Sequence, residues 1–335
     1  MLLDRKPPGE SARVDRKAAK EAAFSRSFRS RCANIGWFGI FFFAAACVLA
    51  WFSPAVSRAQ SPSGNRVSLS YIGQWGTHGT NAGQLDAPTS IATDAIGDVY
   101  IADSASQFVH KFDPRGTPLL SFQDPALQHP DGITVDHGGA IYVTDSLRRA
   151  TFIFFPNGDR YHELRIPTRG HSEDALSVTV ADDGSIHIFD PDPGRLFTYT
   201  ARLRSAQSWQ PSANVPNMRI RASAVATGPN GDLYFTAGNR ILRFTPKGNF
   251  VSQISSPNDL SSEFCVSRNL IFAMGADGRM VHVWSLDGQP KLDIDLSPEL
   301  GQGNRAAPPV AASPRQELLV LDSPESRVLR YRINF

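Results

Sequence analysis

A strand-like motif returns along this chain at a nearly even interval. Val99-Tyr100-Ile101-Ala102-Asp103 is followed by AIYVTD around Tyr142, SIHIFD around His187 and DLYFTA around Tyr234. NLIFAM around Phe272 and LLVLDS around Leu319 continue the series. The steps are 42, 45, 47, 38 and 47 residues, close to 44 on average. Each copy is too short for a stable helix, and its large residues are mostly β-branched or aromatic, so it reads as a strand. A repeat of that length with several strands is the pattern of a propeller blade, which cannot bury both faces of its sheet alone.

The first full unit shows what a repeat contains. Ser90–Thr93, Val99–Ala102, Phe108–Phe112 and Pro118–Phe122 are four apolar runs separated by turn residues. The turns run from Asp94 to Asp98 and from Asp113 to Gly116. Gly, Asp and Pro suit such turns because they accept or pre-set the backbone angles a reversal needs. Turn signals recur in phase: Asp136 to Gly139, Asp182 to Gly184 and Pro229 to Asp232 between first and second strands. Pro156 to Gly158, Thr245 to Gly248 and Asp287-Gly288 lie between third and fourth. A β-sandwich also spaces its strands evenly, but has no reason to repeat its turn chemistry at this interval. The expectation is an all-β, six-bladed β-propeller of four-stranded antiparallel blades over 67–335.

Gly73-Gln74-Trp75-Gly76, Gly83-Gln84-Leu85, Ala87-Pro88, Ile91-Ala92, Asp94, Gly97 and Val99 to Ser104 together resemble an NHL repeat. Pro130 to Ile133, Val135-Asp136 and Ile141 to Ser146 resemble it again, as does Asn239-Arg240-Ile241 in the fourth unit. The third, fifth and sixth units are similar more loosely. The resemblance spans about residues 68 to 335 and implies a propeller, a fold that hosts many activities. It also brings in a similar propeller family, the amidating lyases, which hold zinc through histidines, one of which follows the Pro opening an innermost strand. The positions here are Thr89 and Asp131, neither of them histidine, so zinc chemistry of that kind is not expected.

The sixth unit carries three strands, Pro309–Ala312, Leu318–Leu321 and Val328–Ile333, before the sequence ends at Phe335. Val67–Trp75 reads as an extra strand ahead of the first unit. It is expected to supply the sixth blade's missing outer strand and so close the ring, leaving no open gap.

Residues 1–31 hold nine Lys/Arg, four acids and few large apolar side chains, so they cannot build a core and read as a disordered cytoplasmic tail. Residues 32–57 are uncharged, and Ile35–Phe52 is long enough to cross a bilayer as a helix. Trp37 and Trp51 sit near its ends, where indoles favour the interface, and the basic tail would stay inside. Residues 58–66 form a linker. The reading favours an inner-membrane anchor with the propeller on the periplasmic side. The alternative is a cleaved signal peptide, with Ser57-Arg58-Ala59 before the cut and a secreted product.

Ten of the 34 basic residues and four of the 32 acids precede Gln60, leaving 24 and 28 and a net charge of about −4. A general nucleic-acid surface is therefore not indicated. Cys265 is the one cysteine after the targeting region, so no internal disulfide is expected. A monomeric propeller is expected.

Propellers take ligands at the channel mouth, on the loops that lead into the innermost strands. Those loops carry Thr89, His129, Asp131 and Arg221 as the candidate ligand-binding set, beside His171, Glu173, Asp174, Arg219 and Arg305. His129 and Asp131 are expected on an exposed loop, where substitutions cost within about 0.5 kcal/mol. Asp103, Asp145, Asp190 and Asp322 recur at strand ends and read as turn caps rather than a calcium ring. His110, His187 and His282 read as half-buried sheet residues. No metal site, cofactor or catalytic motif is expected. The resulting expectation is a binding or scaffolding module for a protein or a small polar ligand. The alternative is a secreted lyase or hydrolase acting on a small polar substrate.

Overall fold

The computed structural model describes residues 67–167, 175–215, 221–301 and 306–335. The tail, the apolar segment and the linker lie outside these residues, and no helix among the described residues is long and apolar enough to cross a membrane. The chain forms six four-stranded antiparallel sheets. Blade 1 holds β2 to β5 (88–123), blade 2 β6 to β9 (130–165) and blade 3 β10 to β13 (177–209). Blade 4 holds β14 to β17 (224–255), blade 5 β18 to β21 (260–295) and blade 6 β22 to β24 (310–334). The repeat read from the sequence is thus the blade.

The N-terminal strand β1 (Ser68–Trp75) completes blade 6, whose order is β1-β24-β23-β22. It pairs with β24 (Arg327–Asn334) from Ser68↔Asn334 to Trp75↔Val328, with a bulge between Tyr71 and Gly73. The innermost strands β2 (Pro88–Thr93), β6 (Pro130–Val135), β10 (Ser177–Val180), β14 (Ala224–Thr227), β18 (Leu260–Val266) and β22 (Val310–Ser313) follow one another round the channel. Each touches the next, and β22 touches β2 to close the circle.

The second strand of each blade is buried on both faces, because a neighbouring blade covers either side. β3 (Val99–Asp103), β7 (Ile141–Asp145), β11 (Ile186–Asp190) and β15 (Leu233–Ala237) are buried throughout. This is why they read as continuous apolar runs without alternation. The core lies between blades. Ile91, Val99, Ile101 and Phe112 of blade 1 pack with Leu319, Leu321 and Val328 of blade 6, and Trp75 of β1 joins them.

A repeated contact latches four of the six outer strands to the next blade. Trp75 on β1 lies over Gly116, in the turn between the third and fourth strands of blade 1, and packs at a tilt against Phe112 with centroids 4.7 Å apart. Phe122 lies over Gly158, Trp209 over Gly248 and Ile254 over Gly288 in the same way. A Cβ at Gly158 would sit 2.8 Å from Phe122, and one at Gly248 2.9 Å from Trp209. The latch needs glycine twice over, for the space and for a positive φ of 90° at Gly116 and 82° at Gly248. Gly116→Ala should therefore lower stability by more than about 1 kcal/mol. A urea midpoint equal to that of the parent protein would show that Trp75 does not rest on this turn.

Candidate functional site

The inner edge of every blade lacks a strand partner, so its backbone groups must be satisfied otherwise. Small hydroxyls from neighbouring strands do much of this. Thr89 Oγ1 donates to Pro130 O (2.8 Å) and Ser177 Oγ to Val225 O (3.1 Å). Ser323 Oγ donates to Pro88 O (2.7 Å), joining blade 6 to blade 1. These bonds stitch the blades round the axis and explain the Ser and Thr of the innermost strands.

The channel they enclose is a cavity of about 680 Å³ lined by the innermost strands of all six blades. Three of these strands break register at the mouth. The extra residue is Thr89 in β2 and Asp131 in β6, while β18 gains two residues between Leu260 and Phe264. That last bulge is Ser261-Ser262-Glu263. A bulge re-aims the side chain it carries, and here all three sit on the cavity wall. Blades 2 and 5 lie opposite each other in a ring of six, so Asp131 and Glu263 stand on opposite walls. Blades 1 and 4 likewise place Thr89 across from Arg221.

Asp131 Oδ1 accepts from Thr144 Oγ1 at 2.7 Å and Oδ2 from the Ser146 N–H at 2.9 Å. Burial nevertheless dominates and pushes its carboxyl up to about 6. Glu263 keeps some surface because the channel reaches it, yet protein surrounds it, and burial pushes its carboxyl up to about 7. The Ser262 hydroxyl, 3.2 Å away, pulls weakly the other way. Cys265, on the same strand, has its thiol pushed up to about 12 by burial and is not a nucleophile at neutral pH. Arg221 stands at the rim. Its Nε donates to Pro191 O at 3.4 Å, and its guanidinium lies 4.0 Å from Asp192.

The expected set therefore divides. Thr89, Asp131 and Arg221 line the cavity; His129 does not. His129 is exposed, and its N–H donates outward to Asp145 Oδ2 at 2.9 Å. Asp131 is not on an exposed loop as expected. It belongs to β6 and is half-buried, because the bulge turns it inward. Accordingly His129→Ala should alter stability by no more than about 0.5 kcal/mol. Asp131→Ala strands the Ser146 N–H and should cost about 1–3 kcal/mol. Comparable denaturation midpoints for the two variants would contradict this assignment. His171, Glu173, Asp174, Arg219 and Arg305 lie outside the described residues. Glu263 was missing from the expected set. Its signal was Ser-Ser-Glu interrupting the alternation of a strand.

The recurring aspartates do more than cap their turns. Asp103 accepts from Ser106 N (3.0 Å) in its own turn and from Asp86 N (2.6 Å) in the loop leading to β2. Asp145 accepts from Arg148 N (3.0 Å) and Gln128 N (2.6 Å) in the same manner. Asp190 is paired with Arg149 of the preceding blade, and Asp322 with Arg327 at 2.8 Å. All four are fully buried, and Asp103 and Asp145 hold the loops leading to β2 and β6. The three strand histidines are buried, not half-buried, since neighbouring blades cover both faces of their strands. His110 Nδ1 meets Ser121 Oγ at 2.8 Å, His187 Nδ1 meets Thr198 Oγ1 at 3.0 Å and His282 Nδ1 meets Asp293 Oδ1 at 2.7 Å. Among the described residues, no three His, Cys, Asp or Glu side chains come together to hold a metal.

No family model matches the chain, and no curated protein matches it. The NHL resemblance therefore rests on the residues quoted for it. Solved structures do match. A streptogramin B lyase is 14% identical over 80% of this chain and 98% of its own, with a TM-score of 0.57. Virginiamycin B lyase from Staphylococcus aureus is 16% identical over 80% of this chain and 89% of its own, with a TM-score of 0.54. A catalytically inactive histidine-to-alanine variant of that enzyme with quinupristin is 15% identical over 79% and 88%, with a TM-score of 0.53. At these identities the likeness is one of fold, the six-bladed propeller.

Proposed function

We propose that this chain is a membrane-anchored, extracytoplasmic propeller that binds a small polar ligand at its channel mouth. The observation that carries the reading is the 680 Å³ cavity with Asp131, Glu263 and Arg221 on its wall. A cavity of that size suits a small molecule, and a few convergent polar groups give it orientation and selectivity. Perturbed carboxyls gathered in a cleft favour a ligand site over a purely structural core. Anchoring rests on the basic tail and the uncharged Ile35–Phe52 run.

The test is a thermal-shift screen of polar metabolites on the full-length chain, repeated with Glu263→Gln. A ligand that stabilises the parent protein but not the variant supports the reading. A screen in which every stabilising ligand acts equally on both moves the site elsewhere. Cell fractionation should find the chain in membranes with protease-accessible propeller. A freely soluble form beginning at Gln60 would replace the anchor with a cleaved signal and leave export standing.

A second reading is an enzyme. Glu263, titrating near 7, suits proton transfer at neutral pH. Solved propellers of similar fold are lyases. Among the described residues the cavity wall offers Asp131 and Glu263 for such a role. Turnover of a bound ligand, abolished by Glu263→Gln, is the result that would favour it.

A further inference from the structure

We propose that the channel takes a small organic cation rich in N–H donors, a primary ammonium, with the Glu263 carboxylate as its counter-ion. This rests on the reading of the channel as a ligand site and names the class of ligand. The wall has spent most of its donors. It carries ten Ser and Thr hydroxyls. Thr89 donates to Pro130 O, Thr93 to Ala312 O and Ser177 to Val225 O. Thr227 donates to Val180 O, so the proton in its 2.7 Å contact with Thr179 belongs to Thr179. Ser261 donates to Met274 O and Ser262 to Glu263 Oε1. Seven of the ten protons are thereby committed to the protein. Wall hydroxyls also absorb backbone donors. Ser90 accepts from the Ile133 N–H, Ser177 from Val225, Thr179 from Thr227 and Ser261 from Glu263. What these groups still offer the cavity is oxygen lone pairs, and a matching ligand brings donors of its own.

Glu263 supplies the charge. Both Asp131 oxygens already meet donors, Thr144 Oγ1 and the Ser146 N–H. Glu263 meets the Ser262 hydroxyl at 3.2 Å through Oε1. Among the described residues, burial and that hydroxyl are what act on its charge. Taking a carboxylate out of water is costly until a counter-charge joins it, and a bound ammonium is such a charge. Arg221 is engaged elsewhere, with its Nε donating to Pro191 O and its guanidinium 4.0 Å from Asp192. An ammonium has three donors and no acceptor, which complements a wall of lone pairs. An anion meets carboxyls and few free protons. A quaternary ammonium carries charge without donors and wants an aromatic cage, whereas Phe264 is the one aromatic side chain lining the wall among the described residues. A neutral polyol brings donors but no charge for Glu263.

The experiment is calorimetric titration of the full-length chain in detergent with ethylamine, butylamine and hexylamine. Each is compared with the matching alcohol, carboxylate and N-trimethyl cation. At least one amine is expected to bind, with all its analogues weaker by about tenfold or more, as a lost charged hydrogen bond implies. Glu263→Gln should weaken the amine by about tenfold or more on the same ground. Glu263→Asp, which withdraws the charge by one methylene, should weaken it less. Asp131→Asn should leave it within about threefold, because channel water screens a charge on the far wall. An alcohol or trimethyl cation that binds as tightly as its amine overturns the proposal, as does failure of all the amines. If the amines fail while an alcohol or carboxylate binds, and Glu263→Gln abolishes that binding, the cation fails and the channel site stands. Amine binding left unchanged by both Glu263→Gln and Glu263→Asp, in variants that melt with the parent protein, removes the channel itself as the site.

Discussion

A chain beginning at Gly76 is expected to aggregate, or to melt far below one beginning at Gln60. Removing β1 takes Val67, which is 8% exposed and packs with Leu329, Tyr331 and Ile333, and half-buried Leu69, Ile72 and Trp75. Burial of one such side chain is worth about 1.5–3 kcal/mol, so one buried and three half-buried residues approach about 5 kcal/mol. That is comparable to the whole stability of a domain, about 5–15 kcal/mol. The loss is also qualitative. β24 carries buried Val328, Leu329, Tyr331 and Ile333, and would become an apolar edge able to pair with another chain. Trp75 would no longer latch blade 6 to blade 1. Equal melting temperatures and monomeric elution for the two chains would refute closure by β1.

Acid should be the second strong perturbation. Burial lowers the pKa of His110 and of His187 to about 4, from an ordinary 6.5. The unfolded chain therefore takes up these protons first as pH falls. The stability they represent is complete above pH 6.5, is lost between 6.5 and about 4, and changes little below. A shift of that size is worth on the order of 3 kcal/mol for each imidazole. Asp131 and Glu263 act in the opposite sense. Their folded pKa values, about 6 and 7, lie above the unfolded ones, so their protonation favours the folded state as pH falls. Channel water reaches them and reduces their share, while the imidazoles are sealed. The melting temperature is expected to drop from pH 7 to 4.5, and to drop more steeply in Asp131→Asn/Glu263→Gln. His110→Gln/His187→Gln should flatten the profile. A profile with the same slope in the parent protein and in both double variants would sink this account.

The fold was legible because the repeat acts at two levels. Tyr100, Tyr142 and Tyr234 recur on strands that neighbouring blades bury on both sides, so each shows as a short apolar run. The turn glycines show as punctuation. Even the closing strand was legible, since three strands at the C-terminus implied a fourth elsewhere. The site was less so. Asp131 was expected on an exposed loop but lines the cavity half-buried, because a one-residue bulge turns a loop position into a wall position without changing composition. Glu263 was passed over because its two-residue bulge reads as an ordinary polar loop. His129 was included because it lies on the loop leading into β6, yet it precedes the strand and stays exposed, while the bulge puts Asp131 on the cavity wall. Why Gly116 and Gly248 must be glycine was half visible. Their turns require positive φ, but the indoles resting on them come from other blades.

The pairing of β1 with β24 also sets a clock on biosynthesis. β1 is the first described strand to be synthesised, and its partner is the last. About 260 residues separate Trp75 from Asn334. At about 5–20 residues per second, β1 waits on the order of 13–50 s for that partner, long after the blades between have been made. Throughout that interval a strand carrying Leu69, Ile72 and Trp75 stands with its backbone unpaired. Its polar outward positions, Ser68, Ser70 and Gln74, and its bulge at Gly73 make it a poor template for a neighbouring nascent chain. A chain halted before Arg327 never receives the partner at all, so the free strand marks an unfinished molecule for the cell's chaperones and proteases.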